Sequence, residues 1–146
     1  MERQVWLLTE IKQALMFQFS KKYFILTVLL FITEVLIAVF VHDQFVRPYV
    51  GDYLVVILIY CFFKSFIKAT TWQIAIFTLI FSYTIEALQY FNLVGMLGLQ
   101  HSRIANIIIG NSFAWADIVA YTLGIATVIG IEKIITNHNH QKTPNV

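Results

Sequence analysis

Charged residues are scarce in this sequence. Asp, Glu, Lys and Arg make up 12% of its 146 residues, about half the share that a soluble domain carries. Hydrophobic residues make up 59%, so the available polar side chains cannot cover the apolar surface of a single domain of this length. A soluble globular protein is therefore excluded, and lipid must act as the solvent for much of the chain.

Cysteine and positive charge are also in short supply. The lone Cys61 excludes an intrachain disulfide and any metal site built from several cysteines of one chain. The net charge is +2, and the scattered Lys and Arg residues form no basic groove, so we predict no nucleic-acid partner. The sequence also contains no HExxH, GxSxG or phosphate-loop motif, which removes the usual signs of a hydrolase or nucleotide-binding site.

Four long apolar stretches stand out against this background. Each has about the 20 residues that an α-helix needs to cross a hydrocarbon core. They cover residues 23–41, 49–67, 72–91 and 113–131. The sequence therefore predicts an all-α integral membrane protein, a bundle of four transmembrane helices that occupies residues 23–132.

The Lys and Arg residues are divided unequally between the two sides of such a bundle. Arg47 and Arg103 lie in loops on one side. The other eight flank the spans on the opposite side: Arg3, Lys12, Lys21, Lys22, Lys64, Lys68, Lys133 and Lys142. Because loops rich in Lys and Arg stay in the cytoplasm, we predict a multi-pass plasma-membrane protein with both termini cytoplasmic.

The segments outside the spans differ in character. Residues 1–22 space apolar side chains at three and four residues, which predicts either a cytoplasmic amphipathic helix or a plain helical run-up to the first span. Residues 133–146 are polar and predict a disordered cytoplasmic tail. The loop 92–112 is too apolar for water, and Ser102 can cap a helix from Arg103 to Ile109. We therefore predict a short interfacial or re-entrant helix in this third loop.

Several polar residues fall within or beside the apolar spans. An isolated charge in a membrane is costly, so acids at such positions are rarely idle. Four acids occupy such positions: Glu34, Asp52, Glu86 and Asp117. With both termini in the cytoplasm, these acids lie toward the outer ends of their helices, at the level of the two external arginines. The candidate ligand-binding residues, which predict a pocket open to the outer side, are Glu34, Arg47, Asp52, Glu86, Gln89, Arg103, Asp117 and Tyr121.

These polar residues admit other interpretations. Arg47 can form an ion pair with Asp52. Arg103 can do the same with Glu86 or Asp117, and such pairs can serve only to hold helices together. Carboxylates also suit Mg²⁺ or Ca²⁺, but their spacing carries no metal motif, and we predict no metal and no cofactor. Homo-oligomerisation is left open by the sequence.

Short motifs resemble those of known membrane families. VanZ-like membrane proteins carry an acid–x–x–Gln near the end of one helix, an Arg in the next loop, and an Asp opening a last helix that contains a Gly. The matching residues are Glu86, Gln89, Arg103, Asp117 and Gly124. The stretch RPYVGDYLVVILIYCFF at 47–63, and Glu34 within TEVLIAVF, resemble more closely a neighbouring bacterial family of small integral membrane proteins, domain of unknown function 2809.

This resemblance covers most of the chain, residues 23–131. The interval between Gln89 and Asp117 departs from the VanZ-like pattern, because it is longer and more apolar. The resemblance implies a helical protein of the bacterial inner membrane, and the nearer family carries no assigned activity.

Four classes of function fit these residues. In the first, an outward-facing cluster of acids and arginines binds a lipid headgroup or an envelope-associated anionic ligand, since guanidinium groups suit phosphate and carboxylate. The second is a membrane-embedded enzyme that acts on a lipid-linked envelope precursor, with Glu86 or Asp117 as general acid or base. The third is an ion- or proton-coupled carrier. The sequence offers no path across the membrane for it, because nothing polar joins Lys64 to the cluster. The fourth is a purely structural membrane protein. We predict the first, with membrane lipids as partners.

Overall fold

A computed structural model describes residues 17–43, 46–104 and 114–141 of the chain. Within these ranges, four helices are long and apolar enough to cross a membrane, which confirms the predicted all-α, four-span fold class. The helices are α1 (Lys21–Phe40), α2 (Val46–Phe66), α3 (Thr71–Tyr90), the short α4 (Leu93–Met96) and α5 (Trp115–Gln141).

The ends of the long helices agree with the predicted spans except at one point. α1, α2 and α3 begin and end within three residues of the predicted limits. α5 instead runs to Gln141, ten residues past the predicted end at residue 131, so residues 133–141 of the tail that was predicted to be disordered are helical. The helix continues because no glycine or proline follows Gly130 until Pro144, and these are the residues that most often end a helix.

Some predictions concern residues outside the described ranges. The amphipathic segment up to residue 16 and the tail from residue 142 belong to this group. Arg103 and Ile104 have helical backbone, and the remainder of the helix predicted from Arg103 to Ile109 lies outside the described residues.

α2 is the central helix of the bundle. It packs against α1, α3 and α5, and α3 also packs against α5. Apolar side chains of α2, α3 and α5 meet in one core, whose members are Val56, Tyr60, Cys61, Ile74, Ala75, Tyr121, Ile125 and Val128. This three-helix core fixes the faces of α2, α3 and α5 that carry the polar residues of the spans.

α1 is attached differently. Its backbone packs closely against α2, and Thr27 is its one buried residue. The extended segment before it pairs with the end of α2, where the Ser20 N–H donates to the Ser65 carbonyl at 2.7 Å and Phe17 bridges Ile67. Most of its large apolar side chains are exposed, as expected for a helix that faces lipid.

α2 and α5 approach each other closely at one glycine. A Cβ atom added at Gly124 would lie 2.9 Å from the backbone carbonyl oxygen of Tyr53 and would collide with the Val56 side chain. One turn further along, the Tyr53 hydroxyl donates to Thr127 Oγ1 at 2.9 Å. The glycine therefore allows the backbones to meet, and this contact sets the spacing of the two helices on either side of it.

Candidate functional site

Four carboxyl groups meet at one end of the bundle. The side chains of Asp52 on α2 and Asp117 on α5 lie within hydrogen-bonding reach of each other, and Asp52 also interacts electrostatically with Glu86 and Glu34. We call Glu34, Asp52, Glu86 and Asp117 the carboxyl cluster. The structure therefore brings together, from four different helices, the four acids that the sequence placed at one level.

Glu86 is the most enclosed member of the carboxyl cluster. It is fully buried, and its Oε1 accepts a hydrogen bond of 3.1 Å from the Ala114 N–H, just before α5 begins. Its Oε2 accepts a hydrogen bond of 3.4 Å from the Tyr121 hydroxyl. These contacts tie α3 to α5, and they explain why Tyr121 lies with the acids, as its helical spacing from Asp117 predicts.

Glu34 reaches the cluster from α1, across a glycine that the sequence analysis passed over. A Cβ atom added at Gly51 would lie 3.7 Å from Glu34 Oε2, an ordinary contact distance, so the carboxyl group of Glu34 lies against α2 at Gly51. Glu34 Oε1 is buried and has no hydrogen-bond partner among the described residues. A buried acceptor without a donor is costly, which marks this atom as a point where a ligand or a water molecule would bind.

The arginines lie outside the cluster. Arg47 and Arg103 are both exposed. No cation is found among the groups that act on Glu34, Asp52 or Glu86, so the predicted ion pairs between these acids and the arginines are not formed in the described part of the chain. Gln89, the remaining candidate, is partly buried on α3 one turn after Glu86.

An apolar groove opens beside the carboxyl cluster, between α2 and α5. It has a volume of about 510 Å³ and ends near the level where Gly124 closes the gap between the two helices. Two of its lining residues, Tyr53 and Ala116, are sequence neighbours of Asp52 and Asp117. The groove is lined by Tyr49, Val50, Tyr53, Ala116, Val119, Ala120 and Leu123.

A second polar cluster, which is not predicted from the sequence, lies at the opposite end of the bundle. The Tyr23 hydroxyl of α1 donates to Glu132 Oε1 of α5. Glu132 also lies beside the Tyr60 hydroxyl and interacts with Lys64. We call Tyr23, Tyr60, Lys64 and Glu132 the tyrosine–glutamate cluster. It adjoins a cavity of about 290 Å³ between α1, α2 and α5.

Neither polar cluster has the form of a metal centre. Among the described residues, no group of three or more His, Cys, Asp or Glu side chains is arranged to hold a metal ion. The carboxyl, hydroxyl and amine groups of the two clusters can hydrogen-bond, exchange protons and bind charged groups.

The sequence matches a known protein family. A family model described as "Protein of unknown function (DUF2809)" matches residues 41–125, which is more than half of the chain. The match includes Asp52, Glu86 and Asp117, while Glu34 precedes it. No solved structure matches the chain.

Proposed function

The chain belongs to the DUF2809 family of proteins of unknown function, and we propose that it is a bacterial inner-membrane protein that binds a lipid headgroup or an envelope-associated anionic ligand at the carboxyl-cluster end of the bundle. The family assignment agrees with the nearer of the two resemblances noted in the sequence. The relation to the VanZ-like proteins stays a prediction.

The observation that carries this proposal is the position of the apolar groove. A groove of about 510 Å³ between α2 and α5 is within the size range of small-molecule sites, and such sites combine an apolar wall with a few polar groups. Here the polar groups are the carboxyl cluster and the exposed guanidinium of Arg47, five residues before Asp52 on α2. A ligand with an acyl chain and a polar head matches both parts of the site, so the arrangement favours a lipid over a free anion.

The separation of charges indicates the kind of headgroup. Arg47 and Arg103 are exposed, and guanidinium groups bind phosphate. The carboxyl groups lie deeper, and no cation among the described residues acts on Glu34, Asp52 or Glu86. Buried carboxylates gain most from a positively charged partner, so a zwitterionic headgroup with a phosphate and an amine, such as phosphoethanolamine, fits both sets of charges.

The unequal distribution of Lys and Arg makes a prediction about topology. With both termini cytoplasmic, the carboxyl cluster faces the exterior. Reporter domains fused after residues 48 and 100 should be found outside the cytoplasm, and reporters fused after residues 68 and 140 inside it. Alkaline phosphatase and green fluorescent protein fusions measure the two outcomes. A cytoplasmic signal from the fusion after residue 100 would contradict this orientation.

Lipid binding is tested by replacing the guanidinium groups without removing their charge. In Arg47→Lys/Arg103→Lys the planar guanidinium is lost, and we expect the dissociation constant for phosphatidylethanolamine to rise by about tenfold, since a charge-assisted hydrogen bond contributes roughly 1.5–3 kcal/mol. Native mass spectrometry of the purified protein measures the retained lipid. The matched control is Lys68→Arg, an exposed cation at the other end of the bundle, which should leave binding unchanged.

The groove is tested separately. Val119 lines the groove and is 56% exposed, so Val119→Trp should fill the groove from its rim and reduce lipid retention. Ile134→Trp, at an exposed position of the same helix, is the control for the added indole. The proposal is wrong if the wild-type protein retains no phospholipid, or if both the lysine variant and Val119→Trp bind as the wild type does.

A further inference from the structure

A line of buried polar side chains runs along α3, away from the carboxyl cluster. Thr78, Ser82 and Glu86 follow one another at four-residue spacing, so they lie on one face of the helix. Thr78 and Glu86 are fully buried, and Ser82 is 4% exposed. Burying a hydroxyl group is unfavourable unless it is hydrogen-bonded, and an alanine at these positions would avoid that cost.

The same face of α3 continues to the tyrosine–glutamate cluster. Thr71 lies two turns before Thr78, and its side chain lies beside the hydroxyl of Tyr60. Ala75, between the two threonines, packs with Tyr60 in the core. Tyr60 also lies beside Glu132. Polar side chains of α3 are therefore spaced along the interior of the bundle between the carboxyl cluster and the tyrosine–glutamate cluster.

Two hydroxyl groups on this path lack a hydrogen-bond partner in the described part of the chain. They are Ser82 Oγ and the Tyr60 hydroxyl, and Tyr60 is only 1% exposed. Buried polar groups that find no partner in the protein are commonly satisfied by an internal water molecule. Thr78 differs, because its Oγ1 donates to the Ile74 carbonyl at 2.7 Å and keeps its lone pairs for a further donor.

The spacing of these groups suits bridging water. Four residues of an α-helix rise by about 6 Å, which is about the span of two O–H···O hydrogen bonds in series. One water molecule therefore has the right length to bridge Glu86 to Ser82, and a second has the right length to bridge Ser82 to Thr78. From Thr78 to Thr71 the rise is roughly 10 Å, so the line requires two or three further water molecules past Ala75, which is fully buried in the core.

We propose that this line of side chains, completed by internal water at Ser82 and Tyr60, conducts protons between the carboxyl cluster and the tyrosine–glutamate cluster. A proton that binds a carboxylate of the carboxyl cluster converts it to a carboxylic acid. Each water or hydroxyl oxygen in the line then accepts one proton and releases its own to the next oxygen. The Glu132 carboxylate accepts the last proton and releases it to water. One positive charge crosses per proton, and no other reactant is consumed.

The receiving end carries the groups that such a transfer requires. The Glu132 carboxylate accepts a hydrogen bond from Tyr23 on α1 and interacts electrostatically with Cys61 and Lys64 on α2. The Lys64 amine donates to the Ala69 carbonyl at 3.1 Å, near the end of the bundle. This path shares the carboxyl cluster with the proposed lipid site but uses no residue of the apolar groove, so proton flux and lipid retention are measured independently.

Proton flux into vesicles tests the proposal. The full-length protein is reconstituted into phosphatidylcholine vesicles loaded with potassium and the pH-sensitive dye pyranine. Valinomycin then carries potassium out of the vesicles, which makes their interior negative and draws protons in. We expect acidification at an initial rate at least about tenfold above that of protein-free vesicles treated identically. Ser82→Ala and Tyr60→Phe each remove one hydroxyl at which the line needs a water molecule, and each should lower the protein-dependent rate by about tenfold.

The controls separate conduction from structural damage. Thr84→Val removes a hydroxyl that donates to the Ile80 carbonyl at 2.7 Å on an exposed face of α3, and it should leave the rate unchanged. Ser82→Thr restores a hydroxyl and should restore most of the flux. Tyr60→Phe keeps the aromatic ring in the core, so this variant tests proton conduction even if Ser82→Ala fails to fold. The proposal is wrong if wild-type vesicles acidify no faster than protein-free ones, or if Tyr60→Phe conducts as the wild type does. Failure of the lipid-binding test would leave this result unaffected.

Discussion

Gly124→Ala is expected to lower the free energy of unfolding by about 2 kcal/mol, the middle of the range for overpacking a closely packed site. The new Cβ atom would lie 2.9 Å from the Tyr53 carbonyl oxygen and against the Val56 side chain. A backbone oxygen cannot move aside as the end of a flexible side chain can, so α2 and α5 must separate. Unfolding of the detergent-solubilised protein by sodium dodecyl sulfate, followed by circular dichroism, measures the change.

Gly130→Ala is the matched control for this substitution. It lies on the same helix, and nothing lies within 4 Å of the Cβ atom that it would add. Alanine is a better helix former than glycine by roughly 1 kcal/mol, so this variant should be as stable as the wild type or more stable. Equal destabilisation by the two substitutions would mean that the close contact between α2 and α5 does not set the stability of the bundle.

The second large effect is expected at Glu86. Glu86→Ala removes the acceptors of two hydrogen bonds, from the Ala114 N–H and the Tyr121 hydroxyl, and leaves a cavity where a fully buried side chain was. An unsatisfied buried donor costs roughly 1–3 kcal/mol, and truncating a large buried side chain adds a cavity cost. We therefore expect a loss of about 3 kcal/mol in the same unfolding measurement.

Glu86→Gln distinguishes these contributions. The glutamine side chain fills the same volume, and its amide oxygen can still accept from the Ala114 N–H. This variant should therefore retain most of the stability that Glu86→Ala loses. If the glutamine and alanine variants were equally destabilised, the loss would come from the charge of the carboxyl group rather than from hydrogen bonding and packing.

Much of the fold follows from the length of the apolar runs. A run of about 20 apolar residues has few alternatives to a membrane-crossing helix, which is why the limits of α1, α2 and α3 agree with the predicted spans. The start of α3 also has a local signal, because Thr70 and Gln73 form a capping box in which the Thr70 side chain accepts from the Gln73 N–H at 3.3 Å. The predicted end of α5 is wrong because polar composition alone does not end a helix, and no glycine or proline follows Gly130 until Pro144.

The carboxyl cluster was predictable because a charge in an apolar span is conspicuous and its depth can be counted along the helix. The tyrosine–glutamate cluster was not, since Tyr23 and Tyr60 read as members of apolar runs and Glu132 falls just beyond the predicted end of its span. Which helix faces meet depends on packing, and the approach of Glu34 to α2 at Gly51 has no sequence signal of its own. The lack of an ion pair between an arginine and Glu34, Asp52 or Glu86 within the described ranges likewise depends on where the arginine side chains lie.

The length of α5 has a practical consequence for experiments on this protein. Its 27 residues span about 40 Å, whereas the hydrocarbon core is about 30 Å thick. The final turns therefore stand beyond the membrane as a short rigid rod continuous with the helix that carries Asp117, Tyr121 and Gly124. A fluorophore or a soluble domain joined at Gln141 is attached to a continuous helix rather than to a flexible linker. Its orientation reports directly on any rotation of α5 against the rest of the bundle.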